Sequence, residues 1–459
     1  MTKKPASVAL LLDNSGSMSA LAHGNDSQLR LLKSDANGFI AVMNGTGKVN
    51  SQFHQVGLIN FNTDAHVLFS LQAISSVKVM FAGFKAVNSL AAGGVTNIAD
   101  AIQKGKTMLT PVDTNTYNPA MVLFSDGAWN EGSDPTQNLP SGLPIYTIGY
   151  SNYSDLSYLK TISAQTHATY HVTGNPAVLS TIFNDIVNST RVATTVTNIT
   201  QNLHPYLPSP VPIQVSQGTD YALFSFNWLE KGFAYTDYTP GDKEVQIVLN
   251  DPNGQTVTPD SVEAPDNQGF AVLRVDDPAP GQWSVYGRYG DLSVDQIGNA
   301  VGGFVPPDSI SLSLAHIDAA QDPSISPHIL AQITDDQEPL KDIKVKALAV
   351  MPLYSRQQLF DRFGNELKQI LDQGEFSSDA NPEEAALNVL RNQLLGQEDI
   401  FFHQRALLDV AIDFEQGKHQ IKTDQLRAGL PHNIYVEVSG YSPKSDKHFA
   451  RTQLITVVS

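Results

Sequence analysis

Four continuous apolar runs in the first 150 residues constrain the fold of this chain most strongly. They are SVALLLD (7–13), VGLINF (56–61), AMVLFSD (120–126) and PIYTIGY (144–150). Such runs are typical of strands that are buried on both faces, because a half-buried strand alternates apolar and polar residues. Segments with helical spacing, such as IADAIQKGKTML (98–109), separate the runs. Strands that alternate with helices predict a mostly parallel sheet covered by helices on both sides.

The 459 residues are enough for several folded domains. We predict a doubly wound, Rossmann-like α/β domain over residues 1–192. Residues 193–219 are predicted to be a linker, because HPYLPSPVP (204–212) has four prolines in nine residues. Period-two apolar patterns between turn sequences then predict two β-sandwich domains of the immunoglobulin type, at 220–303 and 304–459.

The last domain is predicted to carry a helical insertion at about residues 355–405. Apolar residues recur there with the spacing of one helix face, at Leu359, Phe360, Phe363, Leu367, Ile370 and Leu371. A second helix is predicted from Asn381-Pro382-Glu383-Glu384 to Gly396, because a capping side chain, proline in the first turn and acidic residues mark a helix start. The stretch GNAVGGFVPP (298–307) is predicted to be the boundary between the two sandwiches.

Composition and charge exclude several classes of function. Cysteine is absent, which excludes disulfides, thiolate nucleophiles and cysteine-bound metals. The net charge is −17, although residues 1–190 carry 10 Lys+Arg against 11 Asp+Glu. An acidic chain without a basic patch is a poor binder of nucleic acid or anionic membranes. No apolar run approaches the roughly 20 residues that span a bilayer.

Hydroxyl and carboxylate side chains lie in three loops that are expected at the same edge of the sheet. Asp13, Ser15 and Ser17 follow the first buried strand directly. Thr96 lies in the glycine-rich loop GGVTNI before a helix, and Asp126 ends another buried strand. Ligands of open α/β sheets bind in the crevice at the carboxyl ends of the strands. The order and spacing of these residues therefore indicate one joint site.

These residues resemble the metal-ion-dependent adhesion site of von Willebrand factor type A domains, and the resemblance covers residues 6–190. It implies that the hydroxyl groups of Ser15 and Ser17 bind a divalent cation, which Thr96 binds directly when a ligand is present. It also implies that Asp13 and Asp126 hold bound waters or enter the metal shell as the site closes. The residues that we expect to shape the surrounding loops are Asn14, Gly16, Gly93, Gly94 and Asn97.

The resemblance implies a protein that binds its partner through a divalent cation, in adhesion or assembly. Mg²⁺ prefers oxygen ligands, and neutral hydroxyl ligands leave its charge poorly compensated, so an Asp or Glu of a partner can complete the shell. Mn²⁺ and Ca²⁺ are also possible. We expect no enzyme activity, because the chain has no GxGxxG after a strand, no P-loop and no GxSxG elbow.

Three alternatives stay open at this point. The protein is a structural subunit or an intracellular scaffold in which the metal serves folding alone, or the sheet has lost its metal and Asp13 and Asp126 cap loops. If Met1 is the native start, we expect a cytoplasmic protein, whereas the type A resemblance implies the cell surface or the extracellular space of a bacterium. The oligomeric state is not predicted.

The order of the domains is similar to that of the calcium-activated chloride channel regulator family. This second resemblance rests on the layout and on short strings, PGQW at 280–283 and VSGYSP with FAR near the end of the chain. The zinc protease domain of that family, with its HExxH motif, has no counterpart here, so proteolysis is not implied. Trp283 in PGQW is predicted to pack in the core of the first sandwich.

Overall fold

The structure is a computed structural model that divides the chain into two compact units. One unit consists of Lys4–Ile186 and Pro352–His403, and the other of Val187–Met351 and Gln404–Ser459. The described residues are 4–23, 26–127, 129–151, 156–203, 209–228, 232–265, 268–290, 297–317, 327–374, 382–383, 386–387, 389–390, 403–413, 418–427 and 430–458. Among these residues, no helix is both long enough and apolar enough to cross a membrane.

A six-stranded sheet forms the centre of the first unit. The strands of this part of the chain are β1 (Ala6–Asp13), β2 (Leu21–His23), β3 (Asp26–Ser27), β4 (Lys48–Val49), β5 (Gln52–Phe53), β6 (Gln55–Phe61), β7 (Ala65–Ala73), β8 (Asn118–Ser125), β9 (Ile145–Gly149) and β10 (Tyr170–Val172). The sheet order is β10-β9-β8-β1-β6-β7, and all neighbours are parallel except β6 and β7. The prediction of an α/β domain with a mostly parallel sheet is confirmed.

Most α-helices of this domain begin after a capping side chain, and the exception is the helix that follows Leu156. The helices are α1 (Gln28–Thr46), α2 (Val77–Asn88), α3 (Ile98–Leu109), α4 (Ser157–Gln165) and α5 (Pro176–Ser189), with a 3-10 helix at Gly16–Ser19. Ser27 caps α1 by accepting from the Arg30 N–H, and Asn175 Oδ1 accepts from the first amides of α5. The predicted helix over 98–109 coincides with α3.

The order in which strands are added to the sheet reverses beside β1, although β1 is parallel to both of its neighbours. From β1 the chain builds β6 and β7 on one side and then β8, β9 and β10 on the other. Loops that leave the carboxyl ends of β1 and β8 therefore diverge, which opens a crevice between them. All eight residues of β1 are buried, in agreement with a strand covered on both faces.

A buried carboxyl group joins two helices of this domain. Ser180 Oγ on α5 donates a hydrogen bond of 2.6 Å to Asp35 Oδ1 on α1. Burial raises the pKa of Asp35 from 3.8 to about 7, although the hydrogen bond from Ser180 and the charge of Arg30 both act to lower it. Between about pH 4 and pH 7 the folded domain therefore retains a proton that the unfolded chain releases.

We expect the Asp35→Asn variant to gain stability relative to wild type as the pH rises from about 5 to 8. Wild type loses stability as the pH rises toward 7, because the unfolded chain ionises Asp35 in this range while the folded domain keeps the proton. The amide of the variant stays neutral and still accepts from Ser180. The expected difference is about 2–4 kcal/mol. Thermal unfolding at both pH values measures it, with the exposed Asp361→Asn as control. Equal pH dependence in wild type and Asp35→Asn would contradict the assignment.

Two five-stranded sheets in the second unit enclose one apolar core. Their strands are β11 (Thr194–Leu203), β12 (Val211–Val215), β13 (Tyr221–Trp228), β14 (Ala234–Tyr235), β15 (Glu244–Asn250), β16 (Thr256–Val257), β17 (Ser261–Glu263), β18 (Phe270–Asp276), β19 (Gly281–Tyr289) and β20 (Ile297–Val305). The sheet orders are β11-β20-β13-β18-β17 and β12-β19-β15-β14, with β16 paired to β15. Trp283 lies in the core beside Phe224, as predicted, with ring centroids 5.7 Å apart.

Two segments predicted to be connections form strands instead. β11 and β12 lie within the predicted linker 193–219, of which residues 204–208 are outside the described part. β20 occupies most of the predicted boundary 298–307 and pairs with both β11 and β13. Backbone pairing from both sides stabilises this glycine-rich strand, which has few side chains to indicate it. The pair formed by β14 and β15 is parallel, whereas sheets of the predicted immunoglobulin type are antiparallel.

The remaining strands form a second pair of sheets over a separate core. They are β21 (Ile310–Ile317), β22 (His328–Asp335), β23 (Glu338–Pro339), β24 (Ile343–Pro352), β25 (His403–Leu408), β26 (Val410–Asp413), β27 (Lys418–Lys422), β28 (Pro431–Ser442) and β29 (Lys447–Val458). The orders are β21-β22-β27-β26, with β23 paired to β22, and β25-β24-β28-β29. The chain after the first domain is thus mostly β-sheet, while its assignment to the immunoglobulin type stays a prediction.

Helices interrupt the last sandwich where the insertion is predicted. α6 (Arg356–Gln373) begins with a capping box between Ser355 and Gln358, and Leu359 and Leu367 of its predicted apolar face are fully buried. The described residues 382–383, 386–387 and 389–390 are also helical. The predicted cap Asn381 and the predicted end Gly396 lie outside the described residues.

Candidate metal site

Asp13 ends the central strand β1 with a completely buried side chain. The Ser15 N–H donates to its Oδ1 at 2.8 Å, and Ser125 Oγ donates to its Oδ2 at 2.7 Å. A buried carboxylate is tolerated when hydrogen bonds replace its hydration. Both oxygens of Asp13 are thus engaged, one from the loop after β1 and one from the end of β8.

A chain of oxygen atoms runs beside this carboxylate. Ser15 Oγ lies 3.0 Å from Ser17 Oγ, and Ser17 Oγ donates to Asp126 Oδ1 at 2.7 Å. All three side chains are buried. The structure therefore brings together Asp13, Ser15, Ser17 and Asp126, although 109 residues separate Ser17 from Asp126.

The loop of Thr96 joins this cluster through backbone hydrogen bonds. The Gly16 N–H donates to the Gly94 carbonyl at 3.0 Å, and the Gly93 N–H donates to the Asn14 carbonyl at 2.9 Å. Thr96 itself is buried. Gly94 has a φ of +79°, a backbone conformation that favours glycine. A Cβ at Gly94 would lie 2.8 Å from Thr63 Oγ1, so the expected close approach is present there, whereas a Cβ at Gly93 would have nothing within 4 Å.

Two asparagines predicted to shape the loops do so with their side chains. Asn14 Nδ2 donates to the Ala91 carbonyl at 2.8 Å, which ties the loop after β1 to the loop before α3. Asn97 Oδ1 accepts from the Asp100 N–H and caps α3, while Asn97 Nδ2 donates to the Thr63 carbonyl. The two loops are therefore connected by side chains as well as by backbone.

Sequence reasoning missed three residues at this site: Ser125, Asn130 and Tyr158. Ser125 precedes Asp126 directly, and its position at the end of a buried strand is a signal that could have identified it. Asn130 Oδ1 accepts from the Thr96 N–H at 2.8 Å, and Tyr158 Oη donates to the Gly127 carbonyl. No local pattern marks these last two, because each acts on a residue of a different loop.

The phenol of Tyr158 lies close to the two carboxylates. Burial is the main cause that raises its pKa far above the ordinary range, and the negative charges of Asp13 and Asp126 raise it further, whereas a hydrogen bond with Ser125 lowers it. Tyr158 is therefore protonated throughout the physiological pH range. A permanent O–H donor thus holds the Gly127 carbonyl, next to Asp126.

The donor set fits a hard divalent cation. Hydroxyl and carboxylate oxygens are the ligands that Mg²⁺ prefers, and Mn²⁺ and Ca²⁺ accept the same donors. Within the described ranges, no cluster of three or more His, Cys, Asp or Glu side chains occurs. A cation at this crevice would therefore depend on the hydroxyl oxygens of Ser15, Ser17 and Thr96 together with two carboxylates.

Residues 7–185 match the family model described as von Willebrand factor type A domain. The N-terminal domain is a von Willebrand factor type A domain. Its six-stranded sheet, and the position of the cluster at the crevice beside β1, agree with this assignment. No curated protein sequence matches the chain.

Solved structures with similarity to this chain include other type A proteins. One is a von Willebrand factor type A protein from Catenulispora acidiphila, 14% identical over 73% of this chain, with a TM-score of 0.34. The chain spans 64% of the length of that protein. The vWF domain of the type V pili tip protein Mfa5 from Porphyromonas gingivalis is 14% identical over 41% of this chain and 95% of that chain, with a TM-score of 0.30. Identities and TM-scores this low carry no information about function.

We expect Gly132→Ala to destabilise the type A domain more than Gly142→Ala. Both glycines have positive φ values, of +80° and +71°, so both substitutions strain the backbone. A Cβ at Gly132 would lie 2.4 Å from Asn97 Oδ1, which caps α3, whereas nothing lies within 4 Å at Gly142. The expected additional loss is about 1 kcal/mol, the value of a helix cap. Thermal unfolding measures it, and equal losses would contradict the contact.

Proposed function

We propose that the type A domain binds a divalent cation, Mg²⁺ in the first place, and that an Asp or Glu of a protein partner completes the metal shell. Ser15, Ser17 and Thr96 would hold the cation through their hydroxyl groups. The observation that carries the proposal is the buried chain of oxygen atoms from Ser15 through Ser17 to Asp126 at the crevice of the sheet.

The hydrogen bonds of Asp13 favour an indirect role for this residue. Both of its oxygens accept from protein donors, Ser15 N and Ser125 Oγ, so Asp13 is suited to orient the serine loop and to hold bound water. A bound cation supplies a positive charge that neutral hydroxyl ligands do not cancel. A partner carboxylate is the complementary ligand, and protein binding is therefore proposed here in place of catalysis.

The charge of the type A domain is compatible with an acidic ligand. Residues 1–190 carry 10 Lys+Arg against 11 Asp+Glu, whereas the chain as a whole has a net charge of −17. A strongly acidic domain would repel a carboxylate at long range, and a nearly balanced one does not. We assign the partner contact to this domain and a spacer role to the β-sheet domains.

The first test is cation binding to chelator-treated full-length protein, measured by calorimetry with Mg²⁺ and Mn²⁺. We expect one saturable site in wild type and an affinity more than about tenfold lower in Asp126→Asn. This variant keeps an oxygen that accepts from Ser17 but loses the charge. Asp113→Asn, an exposed carboxylate at the opposite end of β8, is the matched control. Absence of binding in wild type would overturn the proposal.

A second test asks whether the cation serves binding or only folding. We expect wild type to retain a protein from extracts of the source organism in Mg²⁺ and to release it in chelator. Ser15→Ala should fail to retain that protein, while Ser70→Ala, which changes an exposed serine of β7, should behave as wild type. If chelation lowers the melting temperature but leaves retention unchanged, the metal has the structural role left open above.

A further inference from the structure

The loop that follows β8 has contacts near two residues of the candidate metal site, Asp126 and Thr96. This loop comprises residues 126–132, of which Ala128 lies outside the described part. At one end, the Gly127 carbonyl accepts from the half-buried Tyr158 phenol. At the other end, Asn130 Oδ1 accepts from the Thr96 N–H at 2.8 Å. The loop therefore has contacts beside Asp126, which directly follows β8, and at Thr96 of the other loop.

The peptide groups on both sides of the Thr96 side chain are held by this loop. The Thr96 N–H donates to Asn130 Oδ1, and the Thr96 carbonyl accepts from the Asn130 N–H at 3.2 Å and the Glu131 N–H at 3.3 Å. With both its donor and its acceptor engaged, Thr96 cannot shift without a shift of residues 130 and 131. The backbone of Thr96, and with it the origin of its hydroxyl side chain, is thus held by residues 130 and 131.

The Tyr158 contact holds the other end of the same loop. Its O–H group reaches the Gly127 carbonyl from α4, a helix that contributes no proposed cation ligand. Ser125 Oγ approaches the same carbonyl at 3.2 Å while it donates to Asp13 at 2.7 Å. Gly127, which follows Asp126, is therefore close to the hydrogen bond that Ser125 donates to Asp13.

We infer that Asn130 and Tyr158 are positioning residues of the cation site, Asn130 for the Thr96 hydroxyl and Tyr158 for the Asp126 carboxylate. The inference rests on the proposed function, because positioning is meaningful only if a cation binds there. Neither residue supplies an oxygen to the cation. Asn130 acts on the backbone of Thr96, and Tyr158 acts on that of Gly127, the neighbour of Asp126. Loss of residues that support metal ligands in this way commonly changes metal affinity by about 10–100-fold.

The exposure of Asn130 separates positioning from a contribution to folding. Asn130 is exposed and its hydrogen bond with the Thr96 N–H is only part-buried, so replacement of this side chain removes one hydrogen bond near the surface and leaves no cavity in the core. Loss of Asn130 should therefore change the stability of the metal-free protein little. The affinity for a cation should change more, because the Thr96 hydroxyl is then less well held and metal sites require ligand placement within a fraction of an ångström.

The test compares Asn130→Leu, Asn130→Asp and the control Asn115→Leu in Mn²⁺ calorimetry of the full-length protein. Asn115 is an exposed asparagine close before β8, at the end of the strand opposite to the site. We expect about tenfold weaker Mn²⁺ binding in Asn130→Leu, which lacks an acceptor for Thr96, and affinity restored in Asn130→Asp, which keeps one. Asn115→Leu should bind as wild type does.

The same measurement with Tyr158→Phe tests the other end of the loop. Phenylalanine keeps the ring and removes only the O–H group, so the packing of the domain is retained. We expect several-fold weaker Mn²⁺ binding, because the Gly127 carbonyl then loses its donor from α4, while the single proton of Ser125 Oγ is donated to Asp13 at the shorter distance. Melting temperatures in chelator provide the second readout for every variant, and those of the Asn130 and Asn115 variants should equal that of wild type.

The outcomes distinguish the inference from the proposed function. If wild type binds no cation, both are overturned. If wild type binds Mn²⁺ and Asn130→Leu binds it within about twofold of wild type, the positioning role is overturned and the proposed function stands. If the affinity loss is accompanied by a matching fall of the melting temperature in chelator, or if Asn130→Asp fails to restore affinity, the residue is structural and the inference is wrong.

Discussion

A buried carboxylate at the end of the central strand is the constraint on which the rest of the type A site depends. Asp13 has no exposed surface, and such a group is stable only with hydrogen bonds to both oxygens. Ser15 supplies one from the loop after β1, and Ser125 supplies the other from the end of β8. The parallel register, which sets Leu12 beside Phe124, makes this possible because the next positions are Asp13 and Ser125.

The ends of two strands position three side chains of the site, and a separate loop positions the fourth. Ser15, Ser17 and Asp126 follow the ends of β1 and β8, and their positions are set by the sheet. Thr96 lies on a separate loop, which reaches them through backbone bonds of Gly93 and Gly94 and through the segment that contains Asn130. The sheet therefore sets the positions of the first three side chains, whereas the position of Thr96 depends on contacts between loops.

Most of the net negative charge lies outside the domain that carries the candidate site. The type A domain is nearly balanced in charge, whereas most of the net charge of −17 belongs to the residues that follow it. A negative excess keeps a protein soluble and discourages association with other acidic molecules. Because this excess lies outside the type A domain, the domain that carries the candidate site is not itself strongly acidic.

The sequence alone determined the α/β fold of the first domain and most of its candidate site. Continuous apolar runs identify strands buried on both faces, and Asp13, Ser15, Ser17 and Asp126 are recognisable because they follow the ends of such strands. Even the start of α3 is evident, since Asn97 is a capping residue. These features depend on neighbours in sequence, which local physical chemistry describes well.

Tertiary structure decided the remaining features. The predicted linker 193–219 and the glycine-rich segment 298–307 have weak local signals, and strands β11, β12 and β20 form there because neighbouring strands provide hydrogen-bond partners. Asn130 and Tyr158 likewise acquire a role only when a loop and a helix distant in sequence reach Thr96 and Gly127. A contact between two loops leaves no periodic pattern in either of them, and the physical reason is that its energy depends on their meeting in space.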